Sequence, residues 1–312
     1  MDKQQVKKIE LGTFIGLTMA LCATVRSIPT LAAVGWTLIS YTIFAVLFFA
    51  GPIALISGEL STMLPQEGGP QLWVKTALGS KWGFVVAWLL WVQMFPGMVM
   101  VASTLGPLLG NTFGNVHLGE NHWFVLGCIL VIYWIITILN LKFDMAKVGG
   151  NIGVWLGVYI PVLVMFVLGL LSMIKVGLTP GGYLGAFSWS KVLPNLENMD
   201  TFKYLAGIAF IFVGIEMSSV YIPRLKDATK NYTKGVFISL IGLVLLNVIN
   251  AMFVANIVPN GKMELSNITQ PILLYCDVLG LPTIIGNIFS FMVFLGCLLY
   301  TSPSPRDGAT SR

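Results

Sequence analysis

The chain has 312 residues, 56% of them hydrophobic and 10% charged, with a formal net charge of +5. A soluble domain carries about 25% charged residues, so this chain cannot clothe a water-facing surface and belongs in lipid. The positive balance does not point to nucleic acid, because Lys and Arg sit in loops at the ends of apolar runs rather than along one helix face.

In chain order, Met1–Glu10 is polar and reads as a cytoplasmic N-terminus. The apolar run after it is too long for a signal h-region of roughly 7–15 residues, so it is expected to stay as a span. A bilayer-crossing helix needs about 20 mostly apolar residues. Seven segments qualify, at about Leu11–Val34, Trp36–Leu60, Trp82–Gly110, Trp123–Leu141, Lys147–Ile174, Tyr204–Pro223 and Gly235–Ile257. An eighth begins near Pro282 and is interrupted after Gly296. With the N-terminus inside, eleven basic residues (among them Lys7, Lys8, Lys81, Arg224 and Lys230) fall on the cytoplasmic side, against Lys175, Lys191, Lys203 and Lys262 outside. The positive-inside rule favours that orientation.

Span 1 carries Ala23-Thr24-Val25-Arg26-Ser27-Ile28-Pro29-Thr30. Proline removes a backbone donor, and an Arg inside a span is costly unless it meets a cavity or a partner. A broken helix lining a polar cavity is one reading. The other is a kinked helix whose Arg26 snorkels outward, since the residue lies about 22 Å into a ~30 Å core. Span 6 carries Phe212-Val213-Gly214-Ile215-Glu216-Met217-Ser218-Ser219, a weak helix point followed by a carboxylate. Paired interruptions in corresponding spans are the best sequence pointer to a transporter binding site. Glu216 is about 12 Å from the inner face, so Arg26 above the midplane and Glu216 below it, with substrate between, is favoured over a direct salt bridge.

Between spans 2 and 3, Pro65 and Gly68-Gly69 mark a turn, and Leu72–Leu78 suits a short amphipathic interfacial helix. Gln93, beside Pro96-Gly97 in span 3, is a candidate substrate contact or an interhelical hydrogen-bond donor. Cys22, Cys128, Cys276 and Cys297 are widely spaced, and His117 and His122 share a loop without a supporting cluster. Neither a disulfide framework, a metal site nor a cofactor is indicated. No span carries a catalytic constellation, so an enzyme is not expected.

The linker reads Glu59-Leu60-Ser61-Thr62-Met63-Leu64-Pro65-Gln66-Glu67-Gly68-Gly69-Pro70-Gln71-Leu72-Trp73. It resembles the Glu-Leu-x-x-x-x-Pro-x-x-Gly-Gly motif, followed by an aromatic, of the amino acid/polyamine/organocation permeases, carried here by Glu59, Leu60, Pro65, Gly68, Gly69 and Trp73. Leu78-Gly79 and Trp82-Gly83-Phe84 are similar to that superfamily as well. Pro29-Thr30, Ala146-Lys147-Val148-Gly149, Gly214-Ile215-Glu216 and Val258-Pro259 resemble its glutamate/γ-aminobutyrate antiporter branch more narrowly. Two positions depart: Arg26-Ser27 stand where that branch has an aromatic and an acid, and Pro223-Arg224-Leu225-Lys226-Asp227 replaces an Asn-Pro-x-Arg-like segment.

The resemblance implies an all-α polytopic fold of two inverted five-helix repeats, with helices 1 and 6 broken and substrate near the midplane. The first repeat would cover about 11–174 and an incomplete second repeat about 204–296. It implies secondary active transport of an amino acid across a bacterial cytoplasmic membrane, by antiport or proton symport. Thr24, Val25, Arg26, Ser27, Ile28, Gln93, Phe212, Gly214 and Ile215 would bind substrate, and Glu216 would gate or take up a proton. The competing reading is a transport-dead nutrient sensor or partner-binding membrane subunit.

The tail Cys297–Asp307, Cys-Leu-Leu-Tyr-Thr-Ser-Pro-Ser-Pro-Arg-Asp, matches one translated frame of a common transposase-based sequencing adapter. Residues 297–312 are therefore expected to be non-native. The permease domain is taken as 11–296, truncated, and a chain ending there is expected not to transport.

Overall fold

A computed structural model describes residues 8–22, 25–66, 68–142, 153–179, 181–194, 203–259, 262–265 and 267–301. Among these residues the regular structure is helical, joined by turns and loops, with two isolated bridges, Ile9 with Leu225 and Gly182 with Pro259. Ala146-Lys147-Val148-Gly149 and the tail from Ser302 onward lie outside the described residues.

Helices long and apolar enough to cross a membrane run over Gly35–Met63, Ser80–Thr112, Trp155–Val176, Leu205–Arg224 and Ala228–Ile257. They fall on the expected spans 2, 3, 5, 6 and 7. Span 1 is divided: an α-helix covers Leu11–Cys22, a 3-10 turn Val25–Ser27, and a short helix Ile28–Ala32. Pro29 lies in the first turn of that last helix, where a missing N–H costs nothing. It therefore starts the second half of the span rather than ending the first. The expected fourth span is the helix His122–Lys142. The eighth, Ile284–Thr301, runs through Gly296 without interruption. Gln270–Leu279 is a further helix in a stretch with no predicted element.

Two spans widen into a π turn six residues ahead of a proline. Val46–Ala50 precedes Pro52, and Trp155–Tyr159 precedes Pro161. Proline has no N–H and clashes with the carbonyl four residues back, and a widened turn accommodates both. Large apolar side chains point outward along the spans, including Phe48 and Trp134. In water such faces would drive association; in a bilayer they meet hydrocarbon. The chain is a multi-pass membrane protein.

The structure divides into two compact units. The first holds Met1–Ala23, Ser40–Met94 and Leu205–Leu245. Its core joins the helix Leu11–Cys22 to span 7 through fully buried Phe14 and Tyr232, with ring centroids 5.4 Å apart. Glycines bring the backbones close: a Cβ on Gly235 would stand 2.5 Å from the Phe14 ring, and one on Gly58 2.7 Å from the Thr233 hydroxyl. The linker is the helix Gly69–Leu78, longer by three residues at its start than the pattern suggests because Pro70 fits the first turn. In this unit, residue 9 pairs in parallel with the chain leaving span 6. Ile9 N–H donates to Arg224 C=O at 2.7 Å and Lys226 N–H to Ile9 C=O at 3.0 Å.

The second unit holds Thr24–Ile39, Phe95–Tyr204 and Leu246–Arg312. Gly157 and Gly296 meet backbone to backbone, so the π turn of span 5 packs directly on Ile284–Thr301. Gly169 faces the Phe253 ring, 2.7 Å from where a Cβ would be. The loop after span 5 is tied to span 7 by Asn256, whose side chain accepts from Thr179 N–H and donates to Gly177 C=O, each at 2.9 Å.

Candidate functional site

Span 6 begins as the α-helix Leu205–Phe210, turns at 211–214, and continues as the 3-10 helix Ile215–Arg224. Ten residues is long for a 3-10 segment, which rarely exceeds three or four and often marks a hinge. Gly214 makes the break possible. Its φ of +105° is open to glycine and strained for any side chain.

A break inside a span exposes backbone groups that lipid cannot satisfy. Glu216 answers one of them: its Oε2 accepts the Gly214 N–H at 3.1 Å. The Val213 carbonyl accepts a weak S–H bond from Cys22, with sulfur 3.9 Å away. Cys22 is the last residue of the first helix, so the end of that helix and the break of span 6 meet inside the first unit. Phe212 and Ile215 are fully buried, Gly214 is buried, and Glu216 is half-buried.

The remaining candidates are distributed as follows. Thr24 lies outside the described residues. Val25 and Ile28 are buried, and Arg26 and Ser27 are half-buried; all four belong to the second unit. There Arg26 lies within electrostatic reach of Cys297. Gln93 is exposed at the junction of the helices Ser80–Val92 and Met94–Thr112. Of the linker motif, Glu59, Pro65 and Gly68 are exposed, whereas Gly69 and Trp73 are buried.

The sequence pattern missed a buried hydroxyl group beside the break. Ser218 Oγ donates to Ile215 C=O at 2.7 Å and lies 3.1 Å from the Tyr232 hydroxyl. Ser57, Ser61 and Ser219 are buried in the same unit. The serines after Glu216 were visible in sequence, but nothing local pairs them with Tyr232.

At the edge of the unit, Glu10 and Lys226 form a 2.8 Å ion pair. The Lys226 ammonium, by its hydrogen bond and its charge, holds the Glu10 carboxyl below the usual range. Among the described residues no three His, Cys, Asp or Glu side chains converge as metal ligands. A groove of about 550 Å³ between spans 2 and 7 is lined almost wholly by hydrocarbon, from Val46, Leu55, Leu240, Val244 and their neighbours, and contains none of the candidate residues.

The amino acid permease family model matches residues 9–302. The chain belongs to the amino acid permease family. The chain is 26% identical to an uncharacterised transporter of Legionella pneumophila over 94% of its own length and 62% of that protein's. It is 24% identical to a probable agmatine/putrescine antiporter of Lactococcus lactis, over 92% of the chain and 59% of the relative. A polyamine transporter of Oryza sativa matches at 28% identity over 69% of the chain and 36% of that protein. The chain thus spans about three fifths of the length of these first two relatives. The family is one of permeases, and these relatives are named as transporters and antiporters.

Proposed function

We propose that the chain is the greater part of a secondary active transporter that carries an amino acid by alternating access. The observation that carries this reading is the break of span 6. Gly214 interrupts the helix, Glu216 holds a freed amide, and a long 3-10 segment follows. Broken spans inside membranes line substrate pathways. In this reading the substrate contacts are Thr24–Ile28 at the break of span 1 and, separately, Phe212–Ile215 at the break of span 6, where the N–H groups of 212–215 are already hydrogen-bonded and the carbonyls keep a second lone pair for an α-ammonium. Gln93 adds a side-chain contact. Glu216 gates the pathway or takes up a proton. The fold we infer is the inverted five-helix repeat, with the N-terminus cytoplasmic in a bacterial inner membrane. Glutamate/γ-aminobutyrate exchange is the narrower proposal.

A second reading, transport of a diamine, is favoured by relatives named as agmatine/putrescine and polyamine carriers. Arg26 opposes it. A fixed guanidinium attracts a carboxylate and repels a dication. The test is counterflow in proteoliposomes containing the full-length gene product, loaded with unlabelled solute and offered labelled glutamate, γ-aminobutyrate or putrescine. Accumulation of an amino acid supports the first reading, and of putrescine alone the second. Accumulation of none favours a transport-dead sensor.

A further inference from the structure

The linker motif contains a contact that its sequence does not announce. The chain reverses through Gly68 (φ +139°) and Gly69 (φ +48°) into the helix Gly69–Leu78. Both angles favour glycine. Gly69 is restrained a second time, because a Cβ there would stand 2.6 Å from Ser219 Oγ and 3.9 Å from Ser219 Cβ. Ser219 is 2% exposed, and its Oγ has no hydrogen-bond partner among the described residues. A buried hydroxyl without a partner is costly, and here it rests against bare backbone. The linker helix is fixed elsewhere: Gly83, at the start of span 3, meets Lys75 so closely that a Cβ would lie 2.6 Å from the lysine Cβ. The linker therefore presents Gly69 from a firm mount to the 3-10 half of span 6. That half is separated from the rest of its span by the Gly214 break.

We propose that the Gly68-Gly69 turn is a seat for Ser219, and that Ser219 leaves it and returns in each transport cycle. The proposal rests on the reading of span 6 as a moving helix in a transporter. An unpartnered hydroxyl suits a contact that must release. On leaving, Ser219 breaks no hydrogen bond and gains a water partner; on returning, it is held by shape. Gly69 and Ser219 are positioning residues, and the motif's second glycine is there because any side chain would fill the seat.

The experiment is the double variant G69C/S219C in the full-length gene product, in proteoliposomes. The Cβ separation of 3.9 Å is within the 3.5–4.5 Å that a disulfide needs. Oxidation should link the two peptides, as read by mass spectrometry, and should cut counterflow at least tenfold relative to the same double variant kept reduced, whose own rate should lie below the parent's because a side chain at position 69 occupies the seat. The S219C single variant under oxidant should be unaffected. Cross-linking with counterflow unchanged overturns the proposal, as does a folded double variant that does not cross-link. If neither parent nor reduced variant carries an amino acid or a diamine, the transport reading fails. The seat is then judged by alkylation of native Cys22 with N-ethylmaleimide, expected to be tenfold slower in the locked protein; equal labelling overturns it. Should G69C not fold, Ser219→Leu cannot enter the seat and should speed Cys22 labelling tenfold, and unchanged labelling again overturns the proposal.

Discussion

The Glu216 carboxylate accepts the backbone N–H of Gly214, two residues before it, at 3.1 Å. The acid therefore stabilises the break that brings it into the span. Span 6 is interrupted by a residue that can turn and held open by a residue that can pay the backbone back.

Glu216→Gln keeps the side chain's size and one acceptor but removes its charge. It should leave the folded population intact and reduce counterflow more than tenfold. Glu216→Ala also removes the cap, and hydrogen bonds to charged groups contribute about 1.5–3 kcal/mol, so it should lower thermal stability too. Wild-type counterflow by folded Glu216→Gln would end the gating and proton-coupling role.

Arg26→Ala should shift the substrate profile, weakening anionic amino acids by tenfold or more relative to putrescine. Competition counterflow measures this directly. An unchanged profile would assign Arg26 to outward snorkelling.

Gly157→Leu or Gly296→Leu should abolish correct folding, because the two backbones are in direct contact. Overpacking a tight site costs about 1–3 kcal/mol where neighbours can yield, and backbone cannot yield as a side chain does. The yield of monodisperse protein in detergent is the measurement, with Gly127→Leu, where a Cβ meets open space, as the control.

The Glu10–Lys226 pair predicts a pH dependence at the start of the chain. Glu10 has its pKa lowered in the folded state. Its contribution is present above the ordinary glutamate value of about 4.3 and is lost as pH falls through the lower folded value. Hydrogen exchange at Lys226 N–H should therefore accelerate in acid relative to distant amides. In Glu10→Gln this acid-specific step should disappear.

Hydropathy located spans 2, 3, 5, 6 and 7 because each carries enough apolar residues to be read without knowledge of its neighbours. Gln270–Leu279 escaped because its ten residues are too few for a spanning pattern. The break in span 6 was legible from Gly214 next to an acid. That in span 1 was legible from Pro29, although the helix restarts at Ile28 and proline lies inside the new first turn. What the sequence could not disclose are the partners: Val213 for Cys22, Tyr232 for Ser218, Ser219 for Gly69. Cys22 with Val213 and Gly69 with Ser219 join residues far apart in the chain, Ser218 with Tyr232 joins one span to the next, and no periodicity encodes such a pairing.

The bridge at residue 9 has a practical consequence. Ile9 exchanges two backbone hydrogen bonds with the chain leaving span 6, so the first described residues act as a short rope tied to the end of a helix that we take to move. A tag, label or binding partner attached upstream of Ile9 would pull on that rope. The N-terminus is therefore a poor place for a passive handle and a good one for a strain gauge.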